Sequence, residues 1–227
     1  MQTSNASPFN ALPPAVIALA VIIGGIEALF QLAQAGFLGG AGGLGWRQNG
    51  VNEFGVWTRV MDWMLDNRSF PFREWRRFLT YPLIHVSATH AILVVVFVLA
   101  LGKLVAEVFS QAAFLAVFLI SSVVGGLGFV FLSGSEFPLV GGFPGAYGLI
   151  GAFTFVVWIG AVGQNRQGAR AFGLIAVLAI VQLVFSLYAL EFGRLVSNLS
   201  GFMAGFVMSF LVRPGGWQWL LNRLRQR

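Results

Sequence analysis

Six long apolar runs, parted by short polar breaks, constrain this chain more than anything else in it. A helix crosses the bilayer hydrocarbon with about 20 residues at about 1.5 Å each. Six stretches qualify as spans: Leu12–Leu38, Tyr81–Val108, Ala112–Leu132, Pro138–Val162, Phe172–Phe192 and Leu195–Val212. Only 10% of the residues are charged and 57% are hydrophobic, whereas a soluble domain carries roughly 25% charge. The expected class is an all-α membrane protein, with a short tail over 1–11, a six-span domain over 12–213 and a basic amphipathic tail over 214–227.

The net charge of +6 does not mark a nucleic-acid binder, because its arginines sit between and after the spans instead of clustering on one water-facing surface. They suit anionic lipid headgroups, so the bilayer is the expected partner. The absence of cysteine removes disulfides, thiolate metal sites and cysteine nucleophiles. With an even number of spans the termini share a side. The arginines of the C-terminal tail (Arg223, Arg225, Arg227) then favour both ends in the cytoplasm, and the expected location is a bacterial inner membrane.

The connection over 39–80 is much longer than the others. Gly39 to Gly45 reads as a flexible joint. Between Val51 and Leu65 a helical projection gathers Val51, Phe54, Trp57, Met61 and Met64 on one face. Trp46, Trp57, Trp63 and Trp75 suit the headgroup level. The expectation is an amphipathic helix lying in the interface.

Helices in lipid associate through shape, and small residues four apart let backbones approach. The last span carries Ser197, Gly201, Gly205 and Ser209, and the fourth carries Gly141 and Gly145 besides Gly142, Gly148 and Gly151. These two spans are the expected close pair.

Ordered along the chain, three segments suggest a family. Trp75-Arg76-Arg77 leading to His85 and His90 resembles the start of the second core span of rhomboid intramembrane serine proteases. The glycine ladder through Gly148 and Gly151 resembles the stretch after their Gly-x-Ser-Gly motif. The segment Val196 to Gly205 resembles their Ala-His-x-x-Gly-x-x-x-Gly span, and with the tryptophan-rich loop the likeness covers Trp46 to Val212. The family spacing departs in one place, Trp75 standing one residue further from His85 than is common.

The resemblance implies a six-span rhomboid-like bundle and a site built on a nucleophilic serine, a histidine base and an oxyanion-holding histidine and asparagine. Position by position, Phe143 stands in the serine place, Asn198 in the histidine place and Val94 in the asparagine place, and His90 alone is retained. Phenylalanine has no nucleophilic atom and an amide does not accept a proton as imidazole does. Pro144 replaces a glycine and removes an N–H. The conclusion survives a shifted alignment, because the fourth span has no serine and no histidine follows His90.

The expected function is therefore that of a rhomboid pseudoprotease, binding or escorting transmembrane segments of client proteins. Two alternatives stay open: an active protease pairing His90 with Ser197 or Ser200, and a structural subunit of a larger complex. His85 and His90, lacking a third ligand, read as hydrogen-bonding histidines and not as a metal site, and no cofactor is expected. Glu27, inside the first span, is either functional or a packing residue bonded to Gln31 or a neighbouring span. Asp62 and Asp66 lie in the first loop, which excludes an aspartyl intramembrane protease.

Overall fold

A computed structural model describes residues 11–162 and 192–213. The fifth expected span and the basic tail over 214–227 lie outside them. Helix α1 (Pro14–Gln34) opens with proline in its first turn, where the missing N–H has no intrahelical partner to lose. It stops short of the expected Leu38 because Gly36 turns left-handed at φ +81°. The second run does not begin as a helix at Tyr81. Residues Tyr81–Leu83 form a 3-10 turn around Pro82, and the chain is extended at Ile84. Ser87 then caps α7 (Ala88–Val108), its Oγ accepting from the His90 N–H at 3.3 Å. Ser110 likewise caps α8 (Gln111–Leu132), within one residue of the expected start.

The fourth run also starts late. Leu139 exchanges two backbone hydrogen bonds with Val56, at 2.8 and 3.0 Å, so the residues before Gly142 are committed to an extended path. The last two long helices are α9 (Phe143–Val162) and α10 (Phe192–Val212). Among the described residues four helices are long and apolar enough to cross a membrane (α1, α7, α8 and α10), and α9 carries a shorter apolar stretch over Phe143–Ile159.

The α9–α10 contact depends on missing side chains. A Cβ on Gly205 would strike the Gly148 carbonyl, one on Gly201 the Pro144 carbonyl, and one on Gly151 the Phe202 carbonyl. The expected pair is thus present, but three glycines assigned to it face elsewhere. Gly145 abuts Phe118 and Ser122 of α8, Gly142 abuts Val94 of α7, and Gly141 lies against His90. The larger core joins Val16, Leu19 and Ile23 of α1 to Val94 and Val98 of α7 and Phe114 and Phe118 of α8.

The first loop corrects two expectations. Its glycine joint forms a helical turn, α2 (Gly40–Gly43), entered through left-handed Gly39 and Gly40. The single helix over Val51–Leu65 is instead two, α3 (Trp46–Phe54) and α4 (Thr58–Asp66), parted where Val56 pairs with Leu139. The break is fixed at Gly55, whose absent side chain leaves room for the Val51 carbonyl and Val140. The apolar face is also spent on protein, since Met61 and Met64 are buried with Phe78, Tyr81 and Phe129. Trp46, Trp63 and Trp75 remain exposed on the loop, as a headgroup-level position requires. Two short helices, α5 (Phe72–Trp75) and α6 (Arg77–Thr80), complete the connection.

Candidate functional site

The extended segment between the 3-10 turn and α7 carries His85 into the interior, where it is 1% exposed. Its Nε2 accepts a hydrogen bond from the Gly142 N–H at 3.3 Å, just before α9. The lone pair on Nε2 places the proton of the neutral ring on Nδ1. One helical turn into α7, His90 meets His85 edge to face, ring centroids 5.2 Å apart. Its other neighbour is Phe143, stacked at 4.9 Å and 25°. Gly141 is left-handed at φ +102° and passes directly under the His90 ring, where a Cβ would collide.

The structure therefore gathers His85, His90, Val94, Gly141 and Phe143 at one place. Val94 is fully buried against Gly142 and offers no hydrogen-bonding atom there. Asn198 is buried on α10. Of the two serines named as partners for His90, Ser197 lies against Gly125 of α8 and beside Pro144 of α9, and Ser200 lies against Gly128 of α8. Among the described residues no side-chain hydroxyl hydrogen-bonds to either imidazole. The described residues also hold no cluster of three His, Asp, Glu or Cys. Among the described residues, the rings of His85 and Phe143 and the backbone of Gly141 lie against the His90 ring.

Three residues that sequence reasoning passed over hold this end of the bundle. Tyr81 is fully buried, and its hydroxyl donates to the Ser122 carbonyl at 2.6 Å. Arg77 is buried as well. Its Nη1 donates to the Asn52 and Gly55 carbonyls at 2.8 and 3.0 Å, and its Nε pairs with Glu74. It thereby satisfies the carbonyl end of α3. Arg76, singled out from the Trp75-Arg76 pair, instead lies over the Phe54 ring and pairs with Glu53, while Trp75 packs on Phe78. The anchoring arginine is the one nearer His85. Arg47 is the third. It clamps Glu27 and reaches the His85 carbonyl. An apolar run with one acid in it signals such a partner, but not which arginine supplies it.

Outside the spans, the Glu53 carboxyl is held below its ordinary range chiefly by the hydrogen bond from Arg73; burial opposes this, and the charges of Arg73, Arg76 and Arg77 add to the lowering. A cavity of about 900 Å³ opens at the same end of the molecule. Phe30, Arg47, Trp57, Phe137, Val140 and Arg194 are among its walls, so it lies between the first loop, the approach to α9 and the start of α10.

A bundle of membrane-spanning helices, with a long folded first loop and a histidine-bearing α7 packed on the first turn of a glycine-rich α9, defines a class of intramembrane protein. The family model of the Rhomboid domain matches residues 72–215, more than half of the chain, and the chain belongs to that family. No curated protein matches it. Helices α1 to α4 precede the matched stretch.

Proposed function

We propose that this protein is a rhomboid pseudoprotease, which binds or escorts transmembrane segments of client proteins without cutting them. One observation carries the reading: the ring of Phe143, which the resemblance sets in the serine place, stacks on the ring of His90. Hydrolysis needs a hydroxyl within hydrogen-bond reach of a proton acceptor. Around His90 there is a benzene ring, a second imidazole and glycine backbone. Against the rival pairing of His90 with Ser197 or Ser200, no hydrogen bond joins either hydroxyl to His90 among the described residues. Retention of the close-packed helices, the folded first loop and the open cavity supports recognition as the remaining use of the scaffold.

The test incubates the purified full-length protein with a fluorophosphonate probe and a transmembrane model substrate. Neither labelling nor cleavage is expected, and the appearance of both together overturns the reading. In native membranes, a photo-crosslinking residue at Phe137 is expected to capture transmembrane segments of several proteins. A single stoichiometric partner would point instead to a structural subunit.

A further inference from the structure

Glu27 lies inside α1 and is 7% exposed. Arg47 holds its carboxylate at both oxygens, Nη2 to Oε1 at 2.6 Å and Nη1 to Oε2 at 2.9 Å, and Gln31 adds a bond at 2.8 Å. The guanidinium also lies over Phe30, 5.2 Å from its centroid. From the same Nη1 a further hydrogen bond runs to the His85 carbonyl at 2.7 Å. The ring of that histidine accepts from Gly142. One continuous set of polar contacts thus links α1, α3, the segment before α7 and the beginning of α9.

An apolar cluster follows the same path. Val51, Ile84 and Val140 are buried together, with Ile26, Phe30 and Phe54 packed against them. Phe30, Arg47, Val51 and Val140 are also walls of the cavity. The ion pair therefore stands where α1 and the first loop close over Val140. Removing two charges from water gives little net stability relative to an apolar pair of the same shape, yet breaking the pair by deleting one partner is costly. Such a contact is better suited to fixing one arrangement than to adding strength.

We infer that the Glu27–Arg47 pair is a conformational latch. Closed, it holds α1 against the first loop and keeps Val140 covered. When it opens, the first loop parts from α1 and Val140, 5% exposed at the cavity wall in the closed arrangement, is laid open. The device belongs to how this fold opens, and it stands whether or not clients are cut.

The cysteine-free chain permits a direct measurement on the full-length protein in nanodiscs. A Val140→Cys reporter is compared with a Met64→Cys reporter. Met64 is likewise buried, lies in the first loop with Arg47 and belongs to the separate cluster under α4. With Glu27→Gln, maleimide labelling at position 140 is expected to accelerate about tenfold, while labelling at position 64 stays within about twofold. Arg47→Gln should reproduce this pattern, and the double variant should add nothing to either single change. Equal acceleration at both reporters would reduce the pair to a general stabilising contact and overturn the latch, as would an unchanged rate at position 140 or singles whose effects multiply.

Discussion

The α9–α10 interface and the first loop are held by opposite means. Between the helices there is almost no polar chemistry: Gly148, Gly151, Gly201 and Gly205 bring backbone onto backbone, because in lipid the apolar side chains gain nothing by leaving their solvent. The first loop instead uses Arg77 on two carbonyls, Arg73 and Arg76 on Glu53, and a single strand-like pairing to Leu139. One region therefore fails when atoms are added and the other when charges are removed.

Substitutions can break that contrast in order of size. Gly205→Leu places a side chain where the Gly148 backbone lies, so the helix pair is expected not to close. Loss of a monodisperse peak in size-exclusion chromatography would register it, with the exposed neighbour Met203→Leu eluting as the parent does. Arg77→Ala leaves the buried Gly55 carbonyl, the part-buried Asn52 carbonyl and Glu74 without their donor, and should cost about 3 kcal/mol, read as a fall in unfolding midpoint with the helical signal of the spans retained. An equally large loss from Arg76→Ala would contradict the assignment of the anchor to Arg77.

The smallest effect is expected from Glu53→Gln, because surface ion pairs are weak and screened by salt. Its carboxyl is depressed in the folded protein, so its contribution is complete above the ordinary carboxylate range and disappears as the pH falls through the folded value. The variant should therefore differ from the parent near neutral pH and converge with it in acid, and high salt should narrow the gap. A difference that grows in acid would reverse the sign of this assignment.

The contrast also explains what could be read from the sequence. Small residues at fixed spacing and unbroken apolar runs are local signals, and they located α8, α10 and the pairing of Gly201 and Gly205 with the fourth span. The late starts of α7 and α9 were not legible in the same way. An apolar run looks the same whether helical or extended, and the commitment of Leu139 to an extended path depends on Val56, far back in the chain. The two-helix form of the first loop follows from that same pairing. At the site, the absence of serine from the fourth span and of histidine after His90 was plain from residue types alone. The stacking of Phe143 on His90 and the role of Arg47 needed the third dimension, since neither residue marks its partner by spacing.

The core formed by Val16, Leu19 and Ile23 with Val94, Val98 and Phe114 has a practical corollary. The stretch recognised as the family domain begins at residue 72, downstream of α1, so the recognised region and the cooperative unit have different borders. A fragment cut at the recognised border would lose the helix whose Val16, Leu19 and Ile23 pack on α7 and α8, and would present that uncovered apolar patch to the next copy it met.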